Sequence, residues 1–454
     1  MIRRMRVSDR HVRSRVAALA ALIAVAASSQ PLAAASGSVL ATKEQLAGEA
    51  LALRVLASAP MRRQIEVLEE TYRQDAQGST PAGGATIRRA ADSVAAAAAY
   101  YAVIDDADRP VFLWIGNAPH RWFGIEAPRA GFGIENPDNV YRETTVDSGA
   151  RYEIRGRVRH PGPAELHFVV MDSIPGTTPV SVEGGQILTT LRSDGMKIAP
   201  DGSFTVTVDR DPAGGRSNHL QLPREGKYPL LVRDLLTDWT TQKPVALEIR
   251  RVAGPALARP RTEAEVARRA AELLSLIGPY WVAYDNRFVY SKPRNQVAAP
   301  RHRPGGRGFS SSGHFELGSD EALVVTVDPL GARSLGFQLT DPWGVALEYI
   351  GRTSSLNNAQ AAANPDGTIT FVVTASDPGV YNWLDTDALG SGMFAIRWQA
   401  LPEGTSGERA VRDARVVKRT QLEEALPAGT RFVTPAQRRA QQAARARGYA
   451  RRLE

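Results

Sequence analysis

One stretch of this chain occurs twice. DGSFTVTVDRDP and SNHLQL at residues 201–222 have counterparts in DGTITFVVTASDP and YNWLDT at residues 366–386. Upstream, Phe168 matches Phe337, and over four such matched positions the offset changes only from 171 to 164. Independent coincidences would not keep so steady a register. The chain therefore contains two copies of one building block.

Each copy consists of short runs that alternate apolar and polar residues between Gly, Pro and Asp turns, as in RYEIRGRV at 151–158. Many short strands with a period of two are typical of an antiparallel β-sandwich or jelly roll. We predict a mainly β protein with helical additions, in which two jelly-roll-like antiparallel β-sandwich domains occupy residues 111–253 and 309–402.

Helical spacing surrounds the two copies. Residues 36–110 form a predicted helical N-terminal region, in which Pro60 separates two helices and a turn at 78–84 precedes a third, Ala-rich one. Residues 254–308 contain a predicted linking helix that ends at Gly278 and Pro279, followed by a crossing loop. Residues 403–454 form a C-terminal extension with a basic helix.

The last strand of each copy also has a match, ALEIR at 246–250 against FAIR at 394–397, but there the offset falls to 147. This change predicts an insertion in the first copy. We place it at residues 228–239, where the leucine spacing suits a helix.

The chain begins with an Arg-rich segment, an apolar run from Val16 to Ala27 and small residues ending at Ala35. This order predicts a secretory signal peptide over residues 1–35, cut near Ala35, and therefore a periplasmic or secreted protein. An uncleaved anchor is the alternative, although the run is shorter than the roughly 20 residues that span a bilayer. The absence of cysteine excludes thiol nucleophiles, thiolate zinc sites and iron–sulfur clusters.

The net charge of +8 is concentrated at the two ends of the chain, and residues 36–430 carry a net charge of −3. A mildly acidic body argues against a nucleic-acid partner. The basic tail has a capping box at Thr434 and Gln437 and almost no bulky apolar residues. It is either a helix lying on the body or a contact with an anionic envelope surface. The oligomeric state stays open.

Several strings carry a family resemblance: ENPDNVYRETTVDSGARYEIRGR at 135–157, GHFELGSDEALVVTVDPLG at 313–331, GFQLTDPWGVALEY at 336–349 and YNWLDTDALGSGMFAIRWQALP at 381–402. Together they resemble the bacterial family called domain of unknown function 1214, often joined to domain of unknown function 1254. The resemblance covers roughly residues 110–450. It implies two jelly-roll β-sandwiches side by side, and it implies no activity.

The second copy has the densest cluster of polar and aromatic residues. It comprises Asp341, Trp343, Trp383, Asp385 and Arg397. Aromatic faces beside carboxylates suit a sugar-like or aromatic ligand, because the rings stack while the polar groups fix its orientation. The alternative is structural, since Asp and Asn beside Pro or Gly are ordinary turn formers.

Two histidines distinguish the copies. His219 in the first copy matches Trp383 in the second, and we include it among the candidate ligand-binding residues. His314 precedes a predicted strand beside the crossing loop and is our preferred general base. Asn218 and Asn382, which match each other, indicate scaffold instead.

A third cluster contains Tyr141 and Arg142, flanked by short polar residues. Tyr141 could transfer a proton while Arg142 holds a carboxylate, or the segment could be an Asx turn entering a strand. No metal site is predicted, because the histidines lack zinc spacing. No P-loop, dinucleotide or GxSxG motif is present, and we expect no cofactor.

The sequence leads to three hypotheses. The first is an exported double β-sandwich protein that binds a sugar-like or aromatic small molecule in a groove between or beside the sandwiches. The second is a lyase or hydrolase at the same groove, with His314 or Tyr141 as base and Arg142 or Arg397 as anion anchor. The third is a structural envelope protein.

Overall fold

The computed structural model describes residues 38–454, so the predicted signal peptide lies outside the described residues. The helices of this part are α1 (Lys43–Leu56), α2 (Ala59–Gln74), α3 (Pro81–Ile104), α4 (Glu263–Asp285), α5 (Leu422–Ala425) and α6 (Pro435–Ala450). None of the helices in residues 38–454 is long and apolar enough to cross a membrane.

Twenty strands follow the first three helices or lie between the later ones in this part of the chain. They are β1 (Leu113–Ile115), β2 (His120–Trp122), β3 (Ile125–Ala127), β4 (Asn139–Asp147), β5 (Arg151–Arg157), β6 (Glu165–Met171), β7 (Ile187–Arg192), β8 (Ser203–Asp209), β9 (His219–Gln221), β10 (Lys227–Leu235), β11 (Ala246–Ala253), β12 (Arg301–His302), β13 (Phe309–Glu316), β14 (Glu321–Val327), β15 (Ser334–Thr340), β16 (Ser355–Asn357), β17 (Ile369–Thr374), β18 (Trp383–Asp385), β19 (Ser391–Gln399) and β20 (Val411–Lys418). The predicted fold class, mainly β with N-terminal and short C-terminal helices, is confirmed.

The helical region follows the sequence pattern closely. Pro60 lies in the first turn of α2, where its missing N–H costs nothing. The predicted turn at 78–84 is shorter than expected, because Thr80 caps α3 and the helix begins at Pro81. The alanines of α3 are buried against α1, α2 and α4, since small side chains allow close approach of helices.

The linking helix does not end at Pro279. Helix α4 continues to Asp285 and is followed by a π-helical turn, Asn286–Tyr290. A proline removes the hydrogen bond to the carbonyl four residues earlier, which here belongs to Ser275. Ser275 and Pro279 both lie on the exposed face, so water can solvate that carbonyl, while the buried Tyr280 holds the second half of the helix in place.

The two copies have the same strand order. The first sandwich consists of a five-stranded sheet, β1-β4-β10-β6-β7, and a four-stranded sheet, β11-β5-β8-β9. The second repeats this arrangement as β12-β13-β19-β15-β16 and β20-β14-β17-β18. Apolar side chains of both sheets fill the core of each sandwich. One short pair per copy, β8–β9 and β17–β18, is parallel and departs from the expected antiparallel pattern.

This topology corrects the sequence match at the end of the copies. The counterpart of β19 is β10, at a constant offset of 164, and the counterpart of β11 is β20. Residues 228–239 therefore contain a strand and no helical insertion. The leucine spacing was misleading because β10 has apolar residues on both faces, so its periodicity does not identify a strand. The second sandwich also extends to Lys418, beyond the predicted boundary at residue 402.

The outward faces of the two five-stranded sheets are turned towards each other. Asp138, just before β4, joins them: its Oδ1 accepts hydrogen bonds from Trp239 Nε1 at 2.9 Å and from Asn357 Nδ2 of the second sandwich at 2.7 Å. Helix α6 lies across both sandwiches with its capping box formed as predicted. Contact of its exposed arginines with an anionic surface stays a prediction.

Candidate functional site

A cavity of about 240 Å³ lies between the two five-stranded sheets. Every second residue of four strands lines it, because side chains alternate between the faces of a strand. These residues are Asn139, Tyr141 and Glu143 of β4, Leu231 and Arg233 of β10, Ser310 and Ser312 of β13, and Ala395, Arg397 and Gln399 of β19. Helices α3 and α4 and the crossing loop close the remaining sides.

Arg233 and Arg397 occupy equivalent positions of β10 and β19 and face this cavity from the two sandwiches. Nη2 of Arg233 donates to Nδ1 of His167 at 2.5 Å. Burial, together with Arg233, lowers the pKa of His167 to about 2, so this ring stays neutral and can accept the bond. Nε of Arg233 is buried and has no hydrogen-bond partner within residues 38–454.

Arg397 is held in place by two acceptors. Its Nη1 donates to Oε1 of Gln338, and its Nη2 donates to the carbonyl of Ile134. Arg233 is buried and Arg397 is partly exposed, and desolvation lowers the pKa of both guanidinium groups.

The crossing loop adds Arg303 and Arg307 to the cavity lining. Burial, together with the positive charges of Arg303 and Arg233, lowers the pKa of Arg307 to about 9. The Nη2 of Arg307 is 4.0 Å from Oε2 of Glu183, too far for a hydrogen bond. This cluster therefore favours an anion in the cavity.

Two carboxyl groups of the lining do not neutralise these arginines. Burial raises the pKa of Glu143 to about 7, and the hydrogen bond from Tyr101 to its Oε1, at 2.9 Å, offsets only part of the increase. Burial also raises the pKa of Glu135 to about 7, although Arg129 acts against the change. Even if these two groups and Glu183 are all ionised, the four arginines of the lining outnumber its three carboxylates, so the cavity keeps an excess of positive charge.

The side chain of Tyr141 lines the cavity. Its oxygen accepts hydrogen bonds from the N–H of Asn136 at 3.1 Å and from Nδ2 of Asn139 at 3.0 Å. A phenol oxygen that accepts two hydrogen bonds can still donate one through its own O–H. Tyr141 pairs directly with Arg233 across β4 and β10. A donor therefore stands beside the cationic cluster.

Aromatic rings of α4 and of the segment between β3 and β4 form one wall of the cavity. The rings of Phe132 and Trp281 are 5.6 Å apart, and those of Trp281 and Tyr284 are 4.9 Å apart. Ile115 and Leu231 extend this apolar surface on the first sandwich. The site thus combines cations with flat apolar walls, which suits a compact organic anion.

Of the sequence-predicted site residues, Tyr141 and Arg397 line the cavity. Arg142 does not, because neighbouring residues of a strand point to opposite faces. Its guanidinium lies inside the first sandwich, 2.6 Å from Oδ2 of Asp234, and donates to the carbonyl of Val245 at 2.5 Å. The structure does not bring Tyr141 and Arg142 to one site.

His314 lies on the same sheet face as Ser312 but one pair further along β13, outside the cavity lining. The π-helical turn covers it: Nδ1 is 3.2 Å from the carbonyl of Val289, and its ring packs on Tyr290. Burial lowers the pKa of His314. The structure does not join His314 with Tyr141 and Arg397.

Asp341 and Trp343 form a buried turn at the contact with the helical region. Oδ1 of Asp341 accepts the N–H groups of Trp343 at 2.9 Å and Val345 at 3.1 Å, which is the Asx-turn alternative. The Trp343 ring stacks on Tyr72 at 4.2 Å, and its Nε1 donates to the carbonyl of Gly83. Burial raises the pKa of Asp341 to about 6.

Trp383, Asp385 and His219 lie on the four-stranded sheets, remote from the facing surfaces. Trp383 Nε1 donates to the carbonyl of Thr374 at 2.8 Å, and Asp385 pairs with Arg352 at 2.7 Å. His219 contacts Oγ1 of Thr207 through Nδ1 at 2.8 Å. Each of the three has local partners, as expected for scaffold residues.

Sequence reasoning missed most of the cavity. The missed polar residues include Tyr101, Glu135, Glu143, Arg233, Trp281, Arg303 and Arg307. One signal was available: the constant offset of 164 pairs Arg233 with Arg397. The others come together only through packing of distant segments, which no local pattern encodes.

The fold has known counterparts. An uncharacterized protein from Burkholderia cenocepacia superposes with a TM-score of 0.62 at 23% identity, over 81% of this chain and 99% of that one. The VPA0106 protein from Vibrio parahaemolyticus gives a TM-score of 0.39 at 8% identity, over 63% of this chain and 90% of that one. The first of these shows a shared fold. No curated protein matches this chain.

One family model matches part of the first sandwich. Its description is "Protein of unknown function (DUF1214)", and the match covers residues 139–237. The pairing with domain of unknown function 1254 stays a prediction. The predicted resemblance to domain of unknown function 1214 is confirmed over residues 139–237, a segment that includes β4 to β10.

Proposed function

We propose that this protein is an exported binding protein that holds a compact organic anion between its two sandwiches. The observation that carries the proposal is the pair of equivalent arginines, Arg233 and Arg397, facing one cavity with Nε of Arg233 buried and unpartnered within the described residues. A buried donor without a partner costs about 1–3 kcal/mol, which a bound carboxylate would recover.

The walls indicate what else the ligand contains. Phe132, Trp281 and Tyr284 offer aromatic faces, and the volume of about 240 Å³ is below the roughly 300–1,000 Å³ of drug-sized sites. A single ring bearing a carboxylate fits both constraints. Aromatic acids are therefore the first ligands to test, and sugar acids the second.

Isothermal titration calorimetry of the protein from residue 36 onward tests this proposal. Benzoate should bind, whereas benzamide, the neutral counterpart, should bind at least tenfold more weakly because it cannot pair with the arginines. Arg303→Ala, a change in the crossing loop, should weaken benzoate binding by about tenfold. Arg447→Ala, an exposed site on α6, is the matched control and should leave binding unchanged.

Equal binding of benzoate and benzamide would refute the anion site. If neither aromatic nor sugar acids bind, the structural hypothesis becomes the better one. Export is tested separately, by the N-terminal sequence of the protein recovered from the periplasm: the proposal expects a start just after Ala35.

A second candidate, an enzyme at the same cavity, is favoured by the Tyr141 hydroxyl beside Arg233. Such a phenol can donate a proton to an anion that develops during a reaction. In that case Tyr141→Phe should abolish turnover of a bound acid while its dissociation constant stays within about threefold. Turnover that survives in the variant would refute this role.

A further inference from the structure

Two successive residue pairs of β4 and β10 line the cavity and give it two chemically different levels along these strands. Tyr141 pairs with Arg233, and the next outward-facing pair is Glu143 with Leu231. Two residues along a strand correspond to about 7 Å. A single six-membered ring with substituents at opposite positions spans this distance. One ligand can therefore contact both levels at once.

The Glu143 level is suited to a neutral polar group. The carboxyl lines the cavity, is buried, and accepts a hydrogen bond from Tyr101 at Oε1. Burial raises its pKa to about 7, so near neutral pH about half of the molecules carry a Glu143 carboxylic acid that can donate as well as accept. A second anionic group placed here would meet a buried carboxyl without a cation, which is unfavourable.

The surfaces between the two levels are apolar. Leu231 and Ile115 face the cavity from the first sandwich, while Phe132 and Trp281 cover it from the helical side. A flat hydrocarbon ring can bury its faces against these side chains.

We propose that the ligand is a hydroxylated single-ring aromatic acid, whose carboxylate pairs with Arg233 and Arg397 and whose hydroxyl, on the far side of the ring, hydrogen-bonds with Glu143. This inference rests on the proposed function and extends it from any compact organic anion to one class. Tyr101 orients the Glu143 carboxyl and acts as a positioning residue.

Calorimetry with three probes on the unmodified protein tests the assignment. 4-Hydroxybenzoate should bind about tenfold more tightly than benzoate, since it adds one buried hydrogen bond. 4-Methoxybenzoate, which adds bulk and cannot donate, should bind no better than benzoate. Equal affinities for 4-hydroxybenzoate and benzoate would overturn the inference while leaving the anion site intact.

Variants of Glu143 provide the second arm. Glu143→Leu should remove the preference for 4-hydroxybenzoate and keep benzoate binding, because the arginine level is untouched. Glu143→Gln keeps the shape and the hydrogen-bonding capacity, so it should retain part of the preference and serves as the folded control. A preference that persists at full strength in Glu143→Leu would overturn the role of Glu143. Failure of all three acids to bind the unmodified protein would overturn this inference, and failure of sugar acids as well would refute the proposed function itself.

Discussion

Arg445 offers the sharpest test of how the C-terminal helix holds the two sandwiches. Its guanidinium is buried and donates from Nε to the carbonyl of Tyr349, from Nη1 to Oε1 of Gln360 and from Nη2 to Oγ of Ser355, each at 2.6 Å. It also lies 4.3 Å from the ring centre of Trp239, which belongs to the first sandwich. One side chain thus connects α6 with both sandwiches.

The cost of Arg445→Ala follows from these contacts. Three hydrogen bonds from a charged donor contribute about 1.5–3 kcal/mol each, and a desolvated cation–π contact about 2 kcal/mol. Against this, burial lowers the pKa of Arg445 to about 10, which shows that the buried charge is costly. Removing one member of such a buried network typically costs about 3–5 kcal/mol, and we expect about 3 kcal/mol here.

Urea unfolding followed by tryptophan fluorescence measures the effect. Arg447→Ala is the matched control, because it makes the same change at an exposed position of the same helix and alters helix propensity equally. It should shift the unfolding free energy by no more than about 0.5 kcal/mol. If Arg445→Ala and Arg447→Ala unfold within that margin of each other, α6 does not hold the sandwiches in the manner described.

Three further changes test other parts of the structure. Gly202→Ala should destabilise the protein by at least about 2 kcal/mol more than Gly367→Ala at the equivalent position. Both glycines have φ near +80°, but only at Gly202 would the new Cβ lie 2.2 Å from the Val158 carbonyl oxygen. Equal melting temperatures of the two variants would contradict this. Glu143→Gln should remove a pH dependence of the unfolding free energy. Because burial raises the folded-state pKa of Glu143 to about 7, the unmodified protein should lose about 3 kcal/mol of unfolding free energy relative to the variant as pH rises from 4.5 to 8. Parallel urea stability profiles of the two proteins would contradict this. Trp343→Ala should cost about 3–5 kcal/mol in urea unfolding, since it opens a cavity beneath the helical region, and a cost below about 1 kcal/mol would show that this contact is dispensable.

The sequence predicts strands well where one face is solvated and poorly where both faces are buried. In β5, RYEIRGR alternates buried and accessible residues, and the period of two was visible. In β10, Leu230 faces the sandwich core while Leu231 faces the cavity, so apolar residues follow one another and imitate a helix. The packing of the second sandwich creates this pattern, and local spacing cannot reveal it.

The cap signals were reliable for helix starts and less so for ends. Thr262 and Glu265 form the predicted capping box of α4. Pro279 did not end that helix, because the energetic cost of the lost hydrogen bond falls on an exposed carbonyl and burial of Tyr280 beyond it offsets that cost. Start signals act within a few residues, whereas continuation depends on tertiary packing.

The duplication itself carries a functional signal that depends on the correct register. Asn218 and Asn382 support the scaffold interpretation of shared residues, since each side chain bonds both backbone groups of one residue, Lys197 in the first copy and Ala362 in the second.

Equivalent positions have a different meaning where the two copies face each other. Pairing residues 246–250 with 394–397 set Arg250 against Arg397, whereas the true counterpart is Arg233. When two copies pack through the same sheet face, residues kept at equivalent positions of that face converge on one interface from opposite sides. A cation repeated there places two like charges around a shared space, which is unfavourable unless an anion or partial neutralisation compensates them. We propose that a bound anion supplies this compensation, so that the repeated arginine, unlike Asn218 and Asn382, reflects ligand binding.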